Sequence, residues 1–180
     1  MNKTTLNILI ISIAAVLVVA LTIGAILLFG NDDPTPTPPG FTPDYPAPPV
    51  DDGAEDFEGG DEGKLEAPEE GGSAVGLIYS IDVQIDLSEE KVTLYFANPQ
   101  RSLQNMFLQL VIQDQVVAES GLLLPGKQIS ELDLKEGFKD TLPIGYYTTN
   151  SKFLIRYYDP ESNQCALVNT EILVNVTVTE

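Results

Sequence analysis

Apolar and polar side chains alternate with a period of two over much of the second half of the chain. Ile81, Val83, Ile85 and Leu87 are interleaved with Asp82, Gln84 and Asp86, and Val92, Leu94 and Phe96 with Thr93 and Tyr95. Met106, Leu108, Leu110 and Ile112 alternate with Phe107, Gln109 and Val111, and Phe153, Ile155 and Tyr157 with Leu154, Arg156 and Tyr158. Successive side chains of a strand point to opposite faces, so each run predicts a strand with one face buried. Near the end Val168, Ile172, Val174, Val176 and Val178 share one parity. Turn chemistry parts the runs at Ser88-Glu89-Glu90, Asn98-Pro99, Asp114-Gln115, Pro125-Gly126 and Asp159-Pro160. The pattern predicts strands at 77–87, 90–97, 105–113, 116–124, 128–134, 151–158 and 165–178, with helical spacing only faint around Leu132 to Phe138. About seven strands joined by short polar turns predict an all-β fold, an antiparallel β-sandwich.

The start of the chain has a different pattern. From Ile8 to Phe29 no residue is charged, and Ile, Leu, Val and Ala dominate. A helix over this run is about 33 Å long, against roughly 30 Å for a hydrocarbon core. The run is longer than a signal-peptide core and has no Ala-x-Ala near its end, so it predicts an uncleaved anchor, with the lipid bilayer as partner of residues 8–29. Lys3 precedes the run and Asp32 and Asp33 follow it, which predicts a single pass through the cell membrane with the N-terminus cytoplasmic and residues 31–180 outside.

Charge divides the rest. The 180 residues carry a formal charge of −18, and the acids crowd into residues 31–72, where Lys64 is the lone base. Within that stretch Pro34, Pro36, Pro38, Pro39, Pro43, Pro46, Pro48 and Pro49 favour polyproline II, and the acid- and glycine-rich residues 51–72 hold only Phe57 and Leu65 as large apolar groups. The domain plan is therefore an anchor at 1–30, a disordered linker at 31–72 and a β-sandwich at 73–180. The spacing Pro36-Thr37-Pro38-Pro39 also suits an aromatic groove, but a solvated spacer between bilayer and domain is the expected reading. No Asp-x-Asp-x-Asp-Gly loop marks a calcium site.

One local pattern is more specific. Leu142-Pro143-Ile144-Gly145-Tyr146-Tyr147 resembles the tyrosine corner of immunoglobulin-like and fibronectin type III-like domains, and Leu124-Pro125-Gly126 with Ile129, Leu132 and Leu134 resembles the strand before it. The resemblance implies that Leu142 is core, that Gly145 makes the turn and that the Tyr147 hydroxyl bonds back to the backbone upstream. Thr148-Thr149-Asn150 and the lack of a core Trp and a Cys pair depart from the family pattern. The layout as a whole resembles small single-pass proteins of Gram-positive bacteria that carry one β-sandwich outside the membrane.

Composition narrows the chemistry. With no His, Ser-His-Asp and Cys-His catalysis and imidazole metal sites are excluded, and one Cys excludes a disulfide framework or a multi-Cys zinc site. The acidity argues against nucleic acid as a partner. Glu89-Glu90, Glu131 and Asp133, and Asp159-Pro160-Glu161 read as solvated turns and strand faces rather than paired catalytic carboxylates. Cys165 has no Lys or Arg within eight residues, so an inert thiol is expected, with an intermolecular disulfide as the alternative. Leu142-Pro143-Ile144-Gly145 lacks the Thr-Gly and tail of a sortase signal. Asn175-Val176-Thr177 fits the glycosylation triplet by the weakest of patterns.

Tyrosine supplies amphipathic contact area at low entropic cost, so Tyr95, Tyr146 and Tyr158 are the candidate binding surface. The expectation is a non-enzymatic module without cofactor or metal that presents a surface to an envelope protein or wall polymer. The alternative is an accessory subunit of a membrane complex whose contacts run through the helix, where Ser12, Ala14, Ala15, Ala20 and Gly24 permit close packing.

Overall fold

The computed structural model describes residues 45–59, 63–69 and 72–180, and Thr42–Glu180 forms one compact unit. The predicted membrane span at 8–29 and its orientation lie outside the described residues. Among those described, no helix is long and apolar enough to cross a membrane.

The described chain is all β, in two sheets, consistent with a β-sandwich. The strands are β1 (Glu55–Asp56), β2 (Ile78–Tyr79), β3 (Asp82–Asp86), β4 (Lys91–Asn98), β5 (Asn105–Ile112), β6 (Gln115–Leu123), β7 (Lys127–Asp133), β8 (Gly145–Tyr147), β9 (Ser151–Tyr158), β10 (Cys165–Leu173) and β11 (Asn175–Thr179). One sheet has the order β1-β7-β4-β3-β11-β8, with β2 also on β4; the other has the order β10-β9-β5-β6.

The period-two pattern explains the core. Val83 and Ile85, Val92, Leu94 and Phe96, Ile129 and Leu132, and Val176 and Val178 line the inner face of the larger sheet. Met106, Leu108, Leu110 and Ile112, Phe153, Ile155 and Tyr157, with Val117 and Leu123, line the smaller one. The Phe96 and Phe153 rings meet edge to face, with centroids 6.2 Å apart. Leu134, Phe138 and Leu142, from the connection after β7, close one end. Turns there replace the faint helical spacing, with Leu142 N–H donating to Phe138 O at 2.9 Å.

Two expected strands are divided. Residues 77–87 break at Ser80 and Ile81, where the Ser80 hydroxyl accepts from Asp82 N–H (3.1 Å). Residues 165–178 break at Val174, where the chain leaves the smaller sheet for the larger. A reversal of direction takes a hairpin of at least two residues. One residue cannot supply it, so β11 runs on in the direction of β10; in the larger sheet it lies parallel to β3, Val176 beside Val83, and antiparallel to β8. The sandwich is therefore not wholly antiparallel as expected.

Ser151 fastens this crossing. Its buried hydroxyl lies 2.7 Å from Val174 O and 2.9 Å from Tyr147 O, while its carbonyl accepts from Val174 N–H at 3.1 Å. Asn98 fastens the other end, its side-chain amide donating from β4 in one sheet to Leu123 O in the other (3.0 Å) and to Gln104 O (2.9 Å).

The largest departure concerns the linker. Residues 45–57, expected to be disordered, lie against the sandwich. Pro49 O accepts from Leu122 N–H (2.7 Å), Asp51 N–H donates to Leu122 O (3.1 Å), Phe57 N–H donates to Gly126 O (2.8 Å), and Glu55 and Asp56 pair with Gln128 and Lys127. Strands β6 and β7 would otherwise be edges with unpaired backbone groups, and such edges are liabilities that proteins cover. The proline-rich stretch has too little apolar surface to fold alone, but it needs none when the partner edge supplies the hydrogen bonds.

Candidate functional site

The two flanks of the sandwich differ in what meets solvent. At the β6–β7 flank the segment 45–57 forms a strap. Its Asp51 carboxylate accepts from Gly121 N–H at 2.6 Å and from Gly53 N–H at 2.9 Å. Gly121 permits this approach, because a Cβ on it would stand 2.6 Å from Asp51 Cα and 2.7 Å from Asp51 N. The Lys127 ammonium sits 2.7 Å from an Asp56 carboxylate oxygen, and both its hydrogen bond and its charge hold that carboxyl below the usual value. Further up the strap the Arg156 guanidinium lies 4.2 Å from the Tyr45 ring centre, a cation–π contact.

Beneath the strap is a second, smaller apolar cluster on the outer face of the smaller sheet. Phe107, Leu122 and Tyr158 form it, with Ala47 of the strap, Leu124 and Cys165 packed against it. The alternation placed Phe107 and Tyr158 on the outer face correctly but could not say that this face is covered.

The opposite flank is open. Strand β10 is the edge of the smaller sheet and β8 the edge of the larger. Leu167 (77% exposed), Val168 (73%) and Leu173 (66%) on β10, and Ile144 (61%) and Tyr146 (69%) at β8, stand in solvent. Val168 was expected to share the buried parity of Val174. A β-bulge between Cys165 and Asn169 resets the register and turns Leu167 and Val168 outward.

The expected tyrosine surface does not assemble. Tyr146 is exposed on β8, whereas Tyr95 lies half-buried on β4 with its hydroxyl 3.2 Å from Gln128 Oε1. Tyr158 is 1% exposed and belongs to the covered cluster, so it presents no contact surface. Burial first, then the neighbouring Cys165, pushes its phenol up to about 12. Of the residues assigned structural roles, Leu142 is buried, and the Tyr147 hydroxyl donates to Pro143 O at 2.7 Å. Gly145 stands at φ +158° as the first residue of β8, where it pairs with Val178.

The carboxylates are arranged as surface charge. Lys91 bridges Glu131 (2.9 Å) and Asp133 (2.8 Å) across β4 and β7, and their hydrogen bonds raise its pKa. Glu119 is opposed by burial, yet Lys135 (2.9 Å) and Gln109 (3.1 Å) hold its pKa below the usual value. Asp86 and Asp159 are lowered by hydroxyl and backbone donors of their own turns, Ser88 with Glu89 and Ser162 with Glu161. Among the described residues no group of three or more Cys, Asp or Glu is placed to hold a metal ion. A hollow of about 420 Å³ lies between Asp114, Asn150, Lys152 and Leu173, open and polar in its lining.

Sequence reasoning missed the strap's anchors: Gly121, Lys127, Arg156 and the Tyr45–Phe57 segment itself. The available signal was Tyr45 among the prolines, an aromatic ring that the fold sets against Arg156. Compared with protein-family models, curated proteins and solved structures, the chain has no match in any of the three.

Proposed function

We propose that this protein is a membrane-anchored, extracytoplasmic display module of non-enzymatic type, an immunoglobulin-like or fibronectin type III-like sandwich offered to an envelope protein or wall polymer. The uncharged run 8–29 provides the anchor in this reading, a single pass with the N-terminus in the cytoplasm. Three features support the domain type: the antiparallel set β3-β4-β7 facing β6-β5-β9-β10, the hairpins that join neighbours, and the Tyr147–Pro143 bond of a tyrosine corner.

The observation that carries the display reading is the asymmetry of the flanks. Large aliphatic groups are left in solvent along β10 and β8, while comparable groups on the other flank are covered. Loops and unpaired edges on a rigid scaffold are common contact sites.

The test is fractionation and surface proteolysis of cells carrying the full chain. The expected result is a protein that stays in membranes through alkaline extraction, with residues 42–180 released by external protease. Mature chain in the soluble fraction, trimmed near residue 30, would overturn the reading. Recovery of a native partner by the full chain but not by the released 42–180 piece would favour the accessory-subunit alternative.

A further inference from the structure

We propose that the β6–β7 flank is a binding site for an extended, proline-rich acidic strand, filled here by the chain's own residues 45–57 and able to take the same segment from a second copy. The inference goes beyond display, since it names a site and an occupant.

Recognition at this flank is mostly through main chain. Leu122 N–H and C=O bracket Pro49 and Asp51, Gly126 O takes Phe57 N–H, and β7 pairs with β1. Such bonds are blind to which copy supplies the strand. Selectivity is added at four points. Gly121 leaves room for a close backbone and donates to Asp51, Lys127 takes Asp56, Arg156 takes an aromatic ring, and the Phe107–Leu122–Tyr158 cluster takes a small apolar side chain, Ala47. This is strand addition to a sheet edge, with affinity from backbone pairing and specificity from side-chain positions.

The segment suits exchange. Pro46, Pro48 and Pro49 fix its extended form and lower the cost of ordering it. They also lack N–H donors, so the Pro46–Pro49 part of the strap is a poor template for a further strand. Of its apolar side chains, Ala54 is the one packed against the main core. Residues 58–73 join the strap to the rest of the domain; exchange would break the bond from Leu65 N–H to Arg101 O (3.0 Å), after which the segment can reach up to roughly 55 Å. In dilute solution the tethered strap wins because its effective concentration is on the order of millimolar. Exchange is therefore favoured where copies are crowded on one surface.

The test uses the full chain in detergent and a fluorescent peptide of residues 45–57. The double variant Asp51→Ala/Asp56→Ala weakens the strap but leaves the acceptor flank intact. Gly121→Ala blocks the acceptor but leaves the strap intact. Lys127→Glu, an exposed change, weakens the acceptor without a steric insult. The strap-weakened chain should bind the peptide at least ten-fold more tightly than the wild-type chain. Adding Gly121→Ala should abolish that binding, and adding Lys127→Glu should reduce it.

Mixing the strap-weakened chain with the Gly121→Ala chain should give a heterodimer by sedimentation that neither forms alone. Circular dichroism of each variant confirms the sheet. Equal peptide binding by wild-type and strap-weakened chains, retention of binding with Gly121→Ala or Lys127→Glu, or no heterodimer on mixing would overturn the proposal.

Discussion

The two flanks of this sandwich manage the same hazard in opposite ways. Strands β6 and β7 span nine and seven residues, with register shifts of their own, and a segment from the linker pairs with both of them. On the other side β8 has three residues and β10 carries a bulge, two devices that blunt an edge without covering it. Covering allows apolar groups to accumulate underneath, which is why Phe107, Leu122 and Tyr158 are buried on what is formally an outer face. Blunting leaves groups such as Leu167 and Val168 in water. Outward-facing apolar residues therefore have different fates on the two flanks: a second small core on one, exposure to solvent on the other.

The sharpest way to break this contrast is to truncate one outward side chain on each flank. Phe107→Ala should cost about 3 kcal/mol or more in unfolding free energy, since it removes a buried ring and leaves a cavity beneath the strap. Leu167→Ala should stay within about 0.5 kcal/mol, as surface changes do. Chemical denaturation of the two variants makes the comparison, and equal costs would mean that the strap does not cover its flank. A smaller effect tests the open flank. Tyr147→Phe deletes the hydroxyl that donates to Pro143 O and should cost about 0.5–1.5 kcal/mol. Hydrogen exchange should quicken at Gly145 and Tyr147 while the amides of Asp51 and Phe57 keep their protection. Faster exchange at the strap instead would show that the two flanks are not independent.

How far the fold was legible in the sequence follows from which interactions set it. Local alternation fixes which face of a strand is apolar, so the cores of β3, β4, β9 and β11 could be read residue by residue, whereas β5, expected to be half-buried, is buried along its whole length. Register shifts are not local. The bulge before Asn169 comes from pairing with β9, so the exposure of Val168 could not be seen in its own neighbourhood. The parallel β3–β11 pair depends on a sheet change at Val174, fastened by Ser151 more than twenty residues earlier. The strap was the least legible element, because its hydrogen-bond partners lie in β6 and β7 and its prolines argue against any regular structure of its own. Gly121 shows the same limit at a single site: in sequence it weakens a strand, and in the fold it is the space that Asp51 occupies. Tyr158 lies on the outer face, and it is lost from the binding surface because Phe107, Leu122, Cys165 and the strap's Ala47 pack in one cluster with it.

Acid offers the gentlest probe of the difference between the flanks. Asp56 is the one strap carboxylate with a resolved shift, held low by Lys127, first through the hydrogen bond and then through its charge, with burial opposing only weakly. A carboxyl whose pKa is lower in the folded state favours that state above the unfolded value, near 3.9. The advantage fades as pH falls through the folded value, so the strap should loosen below about pH 4 and not on the alkaline side. The pair is exposed, so the effect should be modest and should shrink in high salt. Asp86 and Asp159 are lowered by their own turns and will titrate in the same range, so a global unfolding curve cannot isolate the contact. Amide exchange at Phe57, compared between the wild-type chain and Asp56→Asn, can. The wild-type amide should lose protection as the pH falls below about 4, and the variant should start lower and change less. The amides of Gly145 and Tyr147, braced by a phenol on a carbonyl, should show no matching step. Superimposable profiles for Phe57 in the two chains would mean that Lys127 and Asp56 contribute nothing to holding the strap, leaving its backbone bonds and the Gly121 approach to do so alone.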